Sequence, residues 1–79
     1  TGYGQDGPNA GKPGFGTALE GYAGFVHING EPDGSPLLPP FGMADASSGL
    51  CGAFLALAAL RERDRSGRGQ VVDHALYEA

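Results

Sequence analysis

The sequence has little of what usually stabilises a small protein. Its 79 residues contain a single cysteine, Cys51, so an internal disulfide is impossible. The only other soft metal ligands are His27 and His74, and their spacing fits no zinc site, so we expect no bound metal. A chain this short buries only about 60% of its unfolded surface and is marginal without such support. We therefore expect an internal fragment of a larger protein, an obligate oligomer or a poorly folded chain.

Basic residues and long apolar runs are also scarce. Five Lys and Arg stand against nine Asp and Glu, a net charge of −4 that disfavours general nucleic-acid binding. The apolar stretch from Gly49 to Leu60 is shorter than the ~20 residues of a membrane span. The N-terminus lacks the basic and apolar regions of a secretory signal. We expect a cytoplasmic protein with no nucleic-acid or membrane partner.

No proline follows Pro40, and this asymmetry divides the chain. All six prolines and ten of the fifteen glycines lie in residues 1–40, which predicts loops around one helix over residues 15–26. Thr17 and Glu20 have the spacing of a capping box at its start. Gly21 and Gly24 weaken this helix, and we expect another backbone segment to approach it closely there.

The second half predicts a long helix, a strand and the beginning of another helix. Over residues 44–64 large apolar side chains follow helical spacing and the opposite face is small, which indicates a helix buried nearly all round. Ser66 and Gly67 are expected to end it. Residues 70–74 alternate weakly as a strand does, and residues 75–79 begin a helix. This order of elements predicts an α/β layer protein.

Two motifs invite a chemical interpretation. Residues Gly2 to Gly7 match GxGxxG, but Pro8 follows and no helical pattern begins, so the context of a dinucleotide site is missing. Asp45 stands at the start of the long helix, among Ala and Ser. It is either an N-cap or a carboxylate nucleophile that the helix N-terminus stabilises in its ionised form, and the residue pattern leaves both open.

The remaining polar candidates have simpler explanations. Cys51 is expected to be a small buried hydrophobe and both histidines to be structural or exposed. Glu20 fits a cap partner or a solvated helix residue, and the charge-mixed run at residues 61–69 fits a solvated helix end.

Several segments together resemble the family III CoA-transferases, the group that contains formyl-CoA transferase, carnitine CoA-transferase and α-methylacyl-CoA racemase. The resemblance runs from end to end of the chain, and the combination is highly specific although each piece alone is weak. The segments are TGYGQDGP at Thr1–Pro8, KPGFG at Lys12–Gly16, GEPD at Gly30–Asp33, GMADASSG at Gly42–Gly49 and RERDRSGRGQVVD at Arg61–Asp73, before LYEA.

The resemblance implies that Asp45 is the nucleophile. It attacks an acyl-CoA thioester to form a mixed anhydride, then becomes an aspartyl-CoA thioester, and a carboxylic acid acceptor finally takes the CoA. No permanently bound cofactor is implied, because the CoA thioester is the substrate. The segment that touches CoA corresponds to Pro13, Gly14, Phe15 and Gly16.

Two positions depart from the family pattern. Racemase members have a histidine acid/base at the position of Phe15, and a phenyl ring cannot serve in that role. Formyl-CoA transferase-like members carry an acid at the position of Gly16. Glu20 lies one helical turn later, and we hypothesise that its carboxylate reaches a similar place.

The resemblance also implies a fold and an assembly. Residues 1–79 are expected to form part of a Rossmann-like α/β large domain, with no complete domain present, in a protein whose two identical subunits interlock. The fragment alone is expected to be marginally folded and inactive. The alternatives left open are racemase-like epimerisation of an acyl-CoA and a non-catalytic interaction fragment in which Asp45 is only a cap.

Overall fold

The computed structural model describes all residues from Thr1 to Ala79. Three α-helices follow one another: α1 at Gly16–Tyr22, α2 at Phe25–Ile28 and α3 at Met43–Ser66, before a short 3-10 helix at Leu76–Glu78. Helix α1 and the 3-10 helix both pack against the first turns of α3. The rest of α3 projects beyond this contact, and the molecule measures 54 × 24 × 16 Å.

The helix predicted over residues 15–26 forms as two separate helices. Gly24 adopts a φ of 88°, a left-handed conformation that ends the first helical path before α2 begins. The expected close approach of another backbone is wrong, because no atom lies near a Cβ built at Gly21 or Gly24. The capping box is wrong as well, since Phe15 is the N-cap of α1 and no side chain caps it.

The long helix is confirmed, with slightly wider bounds than predicted. It begins at Met43 and ends at Ser66. Gly67 follows with a φ of 73° and donates its N–H to the carbonyl of Arg63 at 2.8 Å, which is a left-handed C-terminal cap. The predicted stop at Ser66 and Gly67 is therefore confirmed.

The predicted burial of this helix is wrong. Ser48 is its only buried residue, while Leu50 and Phe54 are 76% and 71% exposed. The apolar residues buried in the structure are Leu19 and Ala75, because no other element covers the leucine face of α3. The helix is also long and apolar enough by itself to cross a membrane, although core helices of soluble proteins meet the same criterion. The apolar stretch Gly49–Leu60 is too short to span a membrane, but the whole helix, at 24 residues, is not.

The predicted strand at residues 70–74 does not form, and the α/β class is not seen because the regular elements are all helical. A strand requires a neighbouring strand to satisfy its backbone groups, and these 79 residues supply none. The C-terminal segment binds the N-terminal loop instead. Leu76 donates its N–H to the carbonyl of Thr1 at 2.9 Å, and Gln5 donates its N–H to Oδ2 of Asp73 at 2.9 Å. The predicted helix start at residues 75–79 is a single 3-10 turn.

Candidate active site

Asp45 lies in the first turn of α3 and is exposed to solvent. The N-cap of the helix is Gly42, three residues earlier, and no side chain makes a cap hydrogen bond there. The interpretation of Asp45 as the N-cap is therefore wrong. The Asp45 carboxylate lies in the first turn of a helix of 24 residues and is open to a substrate.

Two glycines make room for this carboxylate. A Cβ built on Gly42 would lie 2.5 Å from Oδ2 of Asp45, and a Cβ built on Gly16 would lie 2.7 Å from its Cγ. Real Cβ atoms essentially never approach other atoms so closely, so any side chain at either position would displace the carboxylate. We call Gly16 and Gly42 the glycine cradle of Asp45. The cradle joins the beginning of α1 to the beginning of α3.

Glu20 reaches the same end of α3 from α1. Its side chain is buried, with 4% of its surface exposed, and its Oε1 accepts a hydrogen bond from the N–H of Ala44 at 2.8 Å. Its other oxygen, Oε2, is buried without a hydrogen-bond partner. Glu20 and Gly16 are four residues apart in α1 and therefore share one face of that helix. The carboxylate of Glu20 thus lies at the backbone of the residue that precedes Asp45.

The amide groups around Asp45 are used unequally. Ala44 donates to Glu20 and Ala46 donates to the carbonyl of Gly42, whereas the N–H groups of Met43 and Asp45 have no acceptor. Unpaired N–H groups in the first turn of a helix can stabilise negative charge that develops on a nearby oxygen.

The segment Pro13–Gly16 runs directly into this site. Pro13 is exposed, Phe15 is 78% exposed and forms the N-cap of α1, and Gly16 belongs to the cradle. Gly14 packs on Leu19, where a Cβ would lie 3.1 Å from Cδ2. Of the four residues predicted to touch CoA, Gly16 lies against Asp45, and the other three precede it along the chain.

Sequence reasoning missed Gly42 and the backbone of Ala44. The available signal for Gly42 was its place three residues before Asp45 in GMAD. A glycine there leaves the start of the helix without a capping side chain and leaves space beside Asp45. No local signal could join Glu20 to Ala44, because 24 positions separate them.

The other candidates lie apart from Asp45 or are exposed. Cys51 is exposed rather than buried, so the expectation of a buried hydrophobe is wrong. His27 is exposed, and His74 packs on α3, where its Nε2 lies 2.9 Å from Oγ of Ser48. These positions fit the structural or exposed roles expected of both histidines.

The two motif-like segments have the structures expected of them. No helix follows Gly7, so the GxGxxG segment lacks the geometry of a dinucleotide site. The arginine-rich segment is a solvated helix end with two exposed ion pairs, Arg63 with Asp64 and Arg65 with Glu62.

Known proteins are similar to this chain along its whole length. The beta subunit of succinyl-CoA–L-malate CoA-transferase from Chloroflexus aurantiacus is 44% identical over all of the chain, which covers 20% of that protein. The succinate–glutarate CoA-transferase of Agrobacterium fabrum is 41% identical over 99% of the chain, again covering 20% of that protein. The chain therefore spans about a fifth of the length of the curated relatives it matches.

Solved structures share the fold. A CAIB/BAIF family protein from Brucella suis superposes with a TM-score of 0.93 at 36% identity, over 99% of this chain and 21% of that one. The Rv3272 protein of Mycobacterium tuberculosis superposes with a TM-score of 0.86 at 37% identity, over 99% of this chain and 22% of that one. The sequence model of CoA-transferase family III matches residues 1–79. The chain belongs to CoA-transferase family III.

Proposed function

We propose that the parent protein, meaning the natural polypeptide in which these residues occur, transfers coenzyme A from an acyl-CoA to a carboxylic acid, with Asp45 as the nucleophile. The observation that carries this proposal is the exposed carboxylate of Asp45 in its glycine cradle at the N-terminus of α3. Family membership over the whole chain supports CoA transfer as the chemistry of the site.

The first half of the reaction moves CoA onto the enzyme. A carboxylate oxygen of Asp45 attacks the thioester carbonyl, the C–S bond breaks, and CoA leaves as a thiolate from a mixed anhydride. The thiolate attacks the Asp45 carbonyl of that anhydride, which releases the donor acid as its carboxylate and leaves an aspartyl-CoA thioester.

The second half reverses these steps with another acid. The acceptor carboxylate attacks the Asp45 carbonyl and expels the thiolate, which forms a second anhydride. The thiolate then attacks the acceptor's carbonyl, giving the new acyl-CoA and free Asp45. No net proton is gained or lost, so the site requires no titrating acid or base.

Each tetrahedral intermediate places negative charge on an oxygen next to the first turn of α3. The unpaired N–H groups of Met43 and Asp45 are the available donors for that charge. Pro13, Gly14, Phe15 and Gly16 form the rim on which the CoA portion of the substrate lies. A glycine-rich rim allows close backbone approach to the thioester.

The relatives narrow the substrates to be tried first. Their names pair succinyl-CoA with L-malate or D-citramalate, and succinate with glutarate. The acids in these names are all short dicarboxylic acids. We extend this class to the parent protein: succinyl-CoA as donor and a short dicarboxylate as acceptor.

Racemase-like epimerisation is the disfavoured alternative. Phe15 stands at the position where the resemblance places the racemase acid/base, and it carries no titratable group. A non-catalytic role as an interaction fragment is the outcome if Asp45 never becomes acylated.

The proposal includes the setting of the site. In the parent protein, residues 1–79 form part of a Rossmann-like α/β large domain, no metal or permanent cofactor takes part, and the protein is a cytoplasmic homodimer. Two observations support further residues or a partner subunit around this chain: it spans about a fifth of a solved relative, and the leucine face of α3 is exposed. Light scattering of the purified parent protein tests the dimer.

Trapping with hydroxylamine tests the chemistry. The parent protein is incubated with succinyl-CoA and hydroxylamine, digested and analysed by mass spectrometry. We expect a hydroxamate at Asp45, formed when hydroxylamine attacks the anhydride or the aspartyl thioester, and none when free succinate replaces succinyl-CoA. If the succinyl-CoA is consumed in the presence of hydroxylamine and Asp45 remains unmodified, covalent catalysis by Asp45 is contradicted.

A further inference from the structure

Helix α3 has no cap of its own. Ser, Thr, Asp, Asn and Gly are the preferred N-cap residues, and the side chains of the first four accept a hydrogen bond from an N–H of the first turn. Gly42 occupies that position and carries no side chain. A side chain there would displace the carboxylate of Asp45, because its Cβ would lie 2.5 Å from Oδ2 of Asp45. With Asp45 in its observed position, α3 therefore begins without a local side-chain cap.

Glu20 provides the missing acceptor from another helix. Its Oε1 accepts the N–H of Ala44 at 2.8 Å, the bond that an N-cap side chain would normally make. The carboxylate that makes this bond is buried, with 4% of the residue's surface exposed. This bond fixes the backbone next to Asp45 to a rigid element.

Helix α1 thus makes two contributions from one face. Gly16 leaves space for the Asp45 carboxylate, and Glu20, one turn later, binds the backbone that carries it. We infer that Glu20 is a positioning residue for the reaction: it supplies the acceptor that the N-cap Gly42 lacks and thereby fixes Asp45 in the glycine cradle. It touches no reacting atom, and its role rests on the proposed function of Asp45.

The unpaired oxygen of Glu20 fits a role beyond stability. Oε2 is buried without a partner, an arrangement that lowers the stability of the folded state. Natural sequences depart from full hydrogen-bond satisfaction mainly at functional sites. Glu20 therefore combines a favourable hydrogen bond to Ala44 through Oε1 with an unfavourable unpaired oxygen, Oε2.

Two conservative variants of the parent protein separate reach from charge. Glu20→Gln keeps the length of the side chain and an oxygen that can accept from Ala44, but it removes the charge. Glu20→Asp keeps the charge but is one methylene too short to reach Ala44. Ser48→Ala is the control, because it removes a buried hydroxyl from the second turn of α3, at its contact with His74, without touching the bond to Ala44.

We expect kcat of Glu20→Gln to stay within about threefold of wild type and kcat of Glu20→Asp to fall by about 10- to 100-fold, since small misplacements of a reacting group have effects of that size. KM for succinyl-CoA should change little in either variant, and Ser48→Ala should lower the melting temperature without lowering kcat. Equal kcat in Gln and Asp variants, or a larger loss in Gln, would overturn the inference.

Hydrogen exchange gives a readout independent of activity. Mass spectrometry of the peptide that contains Ala44 should show faster exchange in Glu20→Asp than in wild type or Glu20→Gln, with the end of α3 unchanged. Unchanged exchange in Glu20→Asp would overturn the inference even if activity fell. If wild type transfers no CoA, the proposed function fails, while the exchange rates still decide whether Glu20 fixes α3.

Discussion

The carboxylate of Asp45 lies against the Cα of Gly16, so closely that a methyl group on Gly16 would come within 2.7 Å of its Cγ. The two residues belong to different helices, and the contact therefore sets how α1 and α3 approach each other. In this chain, the space that a side chain at position 16 would need contains the carboxylate of Asp45.

Gly16→Ala is expected to displace the nucleophile. The new methyl group overlaps the Asp45 carboxylate, so kcat should fall by about 100-fold, the scale of a displacement of about 1 Å. The measurement is steady-state CoA transfer by the parent protein.

Gly21→Ala is the matched control in the same helix. A Cβ there meets no atom within 4 Å, so activity should be unchanged and stability should rise by about 0.5–1 kcal/mol. Wild-type kcat in Gly16→Ala would show that the carboxylate does not depend on the cradle.

Gly24→Ala should destabilise the protein by about 1–2 kcal/mol, because Gly24 has a φ of 88° and an L-residue is strained in that conformation. Urea unfolding of the parent protein measures this change. The sign is opposite to that of Gly21→Ala, although the two glycines are three positions apart, and a stabilised Gly24→Ala would contradict the break between α1 and α2.

Asp73→Ala should release the N-terminal loop. Asp73 accepts the N–H of Gln5 through Oδ2, a bond across 68 positions of the chain. Hydrogen exchange of the peptide that contains Gln5 should become faster, while α3 keeps its protection. Asp73→Asn keeps an accepting oxygen and is expected to exchange as slowly as wild type; equally fast exchange in both variants would show that the charge, and not the acceptor, secures the loop.

The isolated chain should expose the leucine face of α3. Leu50, Phe54 and Leu57 are each more than two-thirds uncovered in the structure, and a patch of this kind favours association. We expect a synthetic peptide of residues 1–79 to bind a hydrophobic dye, to melt without a sharp transition and to transfer no CoA. A cooperative thermal transition would contradict this.

The sequence predicts local elements better than the contacts between them. The bounds of α3 follow from its apolar spacing and from Gly67, both of which act within a few residues. The strand at residues 70–74 fails because a strand exists only beside another strand, and the burial of α3 fails because nothing in residues 1–79 covers its leucines. Local reasoning paired Glu20 with Thr17, whereas its partner is Ala44 on another helix.

The site was predictable in part. The resemblance singled out Asp45 and the segment Pro13–Gly16, and Gly16 of that segment lies against the Asp45 carboxylate. It could not show that Gly42, the N-cap of α3, leaves room for the Asp45 carboxylate, since that depends on how close the two residues lie in the fold.

The most direct test of the account is the activity of Asp45→Asn in the parent protein. Asparagine has the same shape and fits the same cradle, so the fold and the melting temperature should be preserved while the nucleophile is lost. CoA transfer from succinyl-CoA should fall by about 10⁴-fold or more, and Asp64→Asn, which alters an exposed ion pair at the far end of α3, should transfer CoA normally. Transfer by Asp45→Asn at a rate near that of wild type would contradict the assignment of Asp45 as the nucleophile.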